Sequence, residues 1–266
     1  MFVVPSAACG FDETSAPPRL FNVPDTVALG QLPEPPTDRG SIPAPPTTVP
    51  ASVAPTTTPS SRPVAGAIAD VVVGYRLLLV GDTVMAATAP RNGGIMCDVL
   101  SDFGWTVEIA AEPGRFIEFG HQVLDQRLTP TDGDPWDVVA VMFGNHFDGD
   151  LDGFVRQLGT MLERLSPRPT IVYTLSEVND DAVAINDVIR ELPRSFPSVV
   201  VVDWAAATEA RPIDLLDGDG PQVTEEGSEL LALYSAAALG KTPRGELGEP
   251  GECLPSVLVD DSAIVL

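Results

Sequence analysis

Short apolar runs alternate with amphipathic segments between residues 70 and 240. The runs at 75–80, 106–110, 137–143, 170–175 and 199–203 are bounded by turn residues and rich in β-branched residues or leucine. Such runs read as strands buried on both faces. Helical patterns lie between them. The segment 95–102 ends at Phe103-Gly104, a C-cap signal. The segment 116–128 stops before Pro130, 151–165 before Pro167, and 180–192 before Pro193. In 151–165 a single face carries Phe154, Leu158, Met161, Leu162 and Leu165. The last pattern, 225–239, has Thr224 as its N-cap and acidic residues in its first turn, and it stops at Gly240.

This alternation predicts right-handed βαβ units. The expected fold is α/β, a three-layer α/β/α sandwich around a five-stranded parallel sheet of flavodoxin-like order 2-1-3-4-5. Ligands in that order bind at the carboxyl ends of the strands, where strands one and three adjoin. Gly81-Asp82-Thr83 and Gly144-Asn145-His146 then lie side by side. The segment Asp217-Gly218-Asp219-Gly220-Pro221-Gln222 returns to the same edge.

Composition divides the chain. Of its 266 residues 27 are proline, and 14 of these fall within residues 1–65. Pro17-Pro18, Pro35-Pro36, Pro45-Pro46 and two threonine runs make 10–69 a linker that cannot bury enough apolar surface to offset its ordering entropy. It is expected to be a disordered, semi-rigid spacer. The remaining organisation is a domain over 70–240 and a C-terminal tail over 241–266. The formal net charge is −23, of which −21 belongs to residues 70–266. With Lys241 as the sole lysine, nucleic-acid binding by phosphate neutralisation is excluded. No apolar run approaches the roughly 20 residues of a membrane span.

The opening, Met1-Phe2-Val3-Val4-Pro5-Ser6-Ala7-Ala8-Cys9, resembles the end of a bacterial lipoprotein signal over residues 1–9. Cys9 would then be lipidated, and the chain extracytoplasmic and anchored in the cell envelope. The other reading is an ordinary terminus with an incidental cysteine. If Cys9 carries lipid, Cys97 and Cys253 remain, either as two thiols or as a disulfide. Export favours the bond.

Four blocks carry a family resemblance. They are Leu79-Val80-Gly81-Asp82-Thr83-Val84-Met85, Phe143-Gly144-Asn145-His146, Val202-Asp203-Trp204, and Asp219-Gly220-Pro221-Gln222-Val223-Thr224-Glu225-Glu226-Gly227. In order and at this spacing they resemble the SGNH (GDSL-like) hydrolases and acyltransferases, in particular the exported actinobacterial form. The resemblance implies a serine nucleophile, a histidine base held by an aspartate, and an oxyanion hole. At those positions this chain has Thr83 for the serine, with Asp82 beside it. Asp219 stands for the orienting aspartate and Gln222 for the histidine. Gly114 matches the oxyanion glycine, and either Asn145 or His146 the oxyanion asparagine.

An amide cannot accept and return a proton near neutral pH, so Gln222 cannot be a general base. Threonine keeps a hydroxyl, but its methyl crowds attack and restricts its rotamers. The expectation is a catalytically degenerate domain that binds, scaffolds or regulates at the envelope. Its expected partner is an envelope glycan or an acylated small molecule. The alternative is a divergent esterase or O-acyltransferase with Thr83 as nucleophile. In that case His146 would serve as base, oriented by Asp148 or Asp150; otherwise His146 is a pocket-lining side chain. No zinc-type cluster or Walker-type phosphate loop is present, so no metal or cofactor is implied.

Overall fold

The structure, a computed structural model, describes residues 67–128, 135–218 and 220–259. Expectations for residues 1–66, including lipid at Cys9, lie outside the described residues, as does Asp219.

The centre of the molecule is a parallel sheet. Strand β1 (Arg76–Gly81) pairs on one side with β2 (Thr106–Ala111) and on the other with β3 (Val138–Met142). The sheet continues through β4 (Thr170–Tyr173) to β5 (Val199–Val202). Leu77, Leu78, Leu79 and Val80 are fully buried, as apolar residues must be in a strand covered on both faces. The order of these five strands is the expected 2-1-3-4-5. The sheet nevertheless has six strands, in the order β5-β4-β3-β1-β2-β6.

The extra strand, β6 (Cys253–Leu254), comes from the segment expected to be a plain tail. It pairs in parallel with β2, Val107 opposite Cys253 and Glu108 opposite Leu254. Two residues are too short for periodicity to reveal. A Cys97–Cys253 disulfide, with Cα atoms 5.8 Å apart, ties this strand to helix α2 (Ile95–Asp102). Helix α9 (Pro243–Glu246) leads into it. At the other end, Ile68 and Ala69 are buried, so the core includes residues placed in the linker by composition.

Helices flank the sheet. Helix α2 packs against α8 (Glu225–Leu239). Helices α3 (Ile117–Arg127), α4 (Leu151–Leu165) and α5 (Asp180–Ser195) pack in succession. Helix α5 runs through Pro193 instead of stopping before it. Pro193 cannot donate a bond to the preceding turn, yet the helix continues past it to Ser195 and Phe196 N–H still closes on Leu192 O. Thr224 caps α8 by accepting a bond from Gly227 N at 3.0 Å, and Asp150 caps α4 from Gly153 N at 2.9 Å. Short helices α1 (Thr83–Ala87), α6 (Trp204–Ala210) and α7 (Pro212–Leu215) escape a periodicity argument because each is two turns or less. Among the described residues, no helix is long and apolar enough to cross a membrane.

Candidate functional site

Helix α1 begins at Thr83, directly after β1, so the Thr83 side chain emerges at the carboxyl edge of the sheet. The Gly114 N–H, beyond β2, donates to Thr83 Oγ1 at 3.2 Å. Gly114 has φ +74°, a conformation that favours glycine. Among the described residues this is the hydrogen bond of the Thr83 hydroxyl, and no imidazole nitrogen bonds to it.

The β3–α4 loop is held from below by Asp82. This carboxylate is fully buried. Its Oδ2 accepts from Gly144 N at 3.1 Å and Asn145 N at 2.9 Å, and its Oδ1 accepts from Asn145 Nδ2 at 2.7 Å. Burial pushes the Asp82 carboxyl from the ordinary 3.8 up to about 6, against these bonds, which favour the charged form. Gly144 completes the turn at φ +120°; a Cβ there would meet Leu175 Cδ1 at 2.7 Å.

The two oxyanion candidates are thereby separated. The Asn145 amide is committed to Asp82. The His146 ring instead reaches the Gly114 turn: a Cβ built on Gly114 would stand 3.6 Å from His146 Nε2. Phe116 meets the same imidazole edge-on, with ring centroids 6.0 Å apart. Asp148 and Asp150, the candidate partners for His146, bond elsewhere, to the backbone N–H groups of Asp150 and Gly153 respectively.

Gln222 lies in the connection between α7 and α8. Asp217 N–H donates to the Gln222 carbonyl at 2.9 Å, and Thr224 N–H to Leu215 O at 3.0 Å. Thr83 and Gln222 line one open groove of about 780 Å3, so the fold brings these two positions to a common surface. Sequence reasoning missed Asn92, Ser228 and Glu229, which also line the groove; Asp217, from the segment expected at this edge, and Thr224 and Glu225, from the last family block, line it too. A signal existed for the helix residues, since Thr224 and Glu225 begin α8 beside Gln222.

No protein-family model matches the sequence, and no curated protein is similar to it by sequence. Solved structures do resemble it. A lipolytic protein of the G-D-S-L family from Desulfitobacterium hafniense aligns with TM-score 0.52 at 15% identity, over 62% of this chain and 99% of that one. The esterase EstA from Pseudoalteromonas sp. aligns with TM-score 0.50 at 12% identity, over 62% of this chain and 96% of that one. The fold is that of the SGNH hydrolases. The C-terminal catalytic domain of peptidoglycan O-acetyltransferase A from Streptococcus pneumoniae also aligns, with TM-score 0.49 at 16% identity, over 67% of this chain and 97% of that one. Within the SGNH fold, the Thr83 hydroxyl and the His146 ring both meet the Gly114 turn, and Gln222 shares only the groove lining with Thr83.

Proposed function

We propose that the chain is a non-catalytic SGNH-fold module that binds a ligand in the groove beside Thr83 and acts as a binding, scaffolding or regulatory element of the cell envelope. One observation carries this reading. Among the described residues the Thr83 hydroxyl is engaged by the Gly114 N–H and by no base, while an amide, Gln222, borders its groove at the base position. A hydroxyl is a weak nucleophile until a neighbouring base takes its proton, and an amide has no such capacity. The Pro/Thr-rich segment, Cys9 and the disulfide support an envelope location. The partner this implies is an envelope glycan or an acylated small molecule.

The closeness of His146 to Gly114 favours a second reading, in which His146 is a relocated base and the chain a divergent esterase or O-acyltransferase. One assay separates the two. The full chain is mixed with p-nitrophenyl acetate, with Thr83→Ala and His146→Ala as controls. The expected result is hydrolysis at the buffer rate in all three. Hydrolysis above buffer that disappears in both variants would sink the non-catalytic reading and establish the second.

A further inference from the structure

We infer that a small pit beyond β4 holds the hydroxymethyl group of a hexopyranose sugar. The pit lies where the segment after β4 meets the start of α5 and the β3–α4 loop, and its volume is about 100 Å3. It shares no lining residue with the groove beside Thr83, so it stands whichever chemistry Thr83 performs. The observation that points to a ligand is Ser176. This residue lines the pit and is only 1% exposed, and its Oγ is buried without a hydrogen-bond partner. Among the described residues it is the one buried hydroxyl left so, and buried polar groups are seldom left unpaired. The chain around it is otherwise satisfied. Asn186 takes both backbone groups of Leu175, at 2.7 and 2.8 Å, Val178 N–H donates to the Ser176 carbonyl at 2.9 Å, and Arg190 pairs with Glu177. The backbone is thereby fixed, whereas the χ1 of serine has three staggered wells and no bond holds Oγ in one of them.

Size and polarity select the group. A water occupies about 30 Å3 in the liquid, so the pit takes about three water-sized groups, whereas sites for whole small ligands run to about 300–1,000 Å3. Gly144, Leu175 and Ala182 are buried beside Ser176, so the inner wall offers one hydroxyl among otherwise apolar side chains. No lysine, arginine or histidine lines the pit, and α5 opens with its Asn179 cap and with Asp180 and Asp181 in the first turn, which opposes an anion. A cation would meet Asp181 only at the exposed mouth, and reaching Ser176 would exchange its hydration for one neutral hydroxyl. A neutral primary alcohol suits both parts: its O–H pairs with Ser176, and its methylene packs on Leu175 and Ala182. The ring that bears it stays outside. There Phe147, Val178 and Pro221 offer apolar edges to the C–H face of a pyranose, and the exposed Asn179 and Asp181 offer hydrogen bonds to its ring hydroxyls.

The test is calorimetric titration of the full chain with cellopentaose and with xylopentaose, which differ only in the hydroxymethyl group on each ring. Burying one methylene is worth about fourfold in binding and one neutral hydrogen bond about two- to tenfold, so cellopentaose is expected to bind about tenfold more tightly, or better. Ser176→Ala should weaken cellopentaose about two- to tenfold and leave xylopentaose unchanged. The same variant should melt at the wild-type midpoint or above it, because it removes a buried hydroxyl that has no partner in the unliganded protein. Equal binding of the two sugars overturns the inference, and so does no binding of cellopentaose. A cellopentaose preference that survives in Ser176→Ala belongs to another surface and also overturns it. A lower midpoint for Ser176→Ala would mean that water already satisfies the hydroxyl in the unliganded protein, and the pit would then be a hydration site only.

Discussion

Replacing Asp82 by asparagine isolates the energetic consequence of burying a carboxylate under the site. The Asp82 side chain has no exposed surface, and its charged form is held by two backbone N–H groups and one amide. Burial outweighs those bonds and raises the carboxyl from 3.8 to about 6. The folded chain therefore binds this proton more tightly than the unfolded chain. The associated stability is complete below the unfolded value and is lost as pH rises through the folded one. The gap between 3.8 and about 6 corresponds to about 3 kcal/mol in all, of which about 2 kcal/mol falls between pH 4 and pH 7. Asparagine does not titrate, so the difference between wild type and Asp82→Asn removes the background of the other carboxylates. Urea unfolding followed by tryptophan emission suits the measurement, because Trp105, Trp136 and Trp204 are all buried. The wild type should lose about 2 kcal/mol relative to the variant from pH 4 to pH 7. A difference that stays flat, or grows in the opposite direction, would refute the dominance of burial over hydrogen bonding at Asp82.

Two further outcomes follow from the architecture. Exchanging both Cys97 and Cys253 for alanine opens a loop whose ends are 156 residues apart. In the chain-entropy account the loss is about 5 kcal/mol at most. A lower calorimetric midpoint is expected; an unchanged one would mean that β6 contributes nothing to holding the edge of β2. Asn186 is fully buried and bridges the Leu175 N–H at 2.7 Å and the Leu175 carbonyl at 2.8 Å. Asn186→Ala leaves both groups unpaired, at a cost of about 2–4 kcal/mol by urea unfolding, and a loss below about 1 kcal/mol would contradict the pairing.

The parts of the fold that were legible share one property: each is long enough for its apolar period to repeat. Helices α2, α4 and α8 begin and end where cap residues and periodicity place them, because caps and amphipathic faces are local features. The five longer strands were legible for the same reason. Strand β6 was not, since two residues carry no period and its position depends on a cysteine on a distant helix. Nor did Pro193 end α5, which continues to Ser195.

For the site, sequence alone determined which residue types stand where chemistry would be needed: Thr83, Gln222, and only two histidines in the chain. Only the tertiary structure decided which of them meet. Asn145 and His146 are adjacent in sequence and interchangeable by spacing. Folding commits the first to the buried Asp82 and turns the second toward Gly114. Likewise Ser228 and Glu229 look in sequence like ordinary helix-surface positions. They line one wall with Thr83 because α8 returns to the carboxyl edge of β1. The physical reason is range. Proton affinity, capping and periodicity act within a few residues, whereas burial, pairing and groove shape depend on which distant segments the sheet brings together.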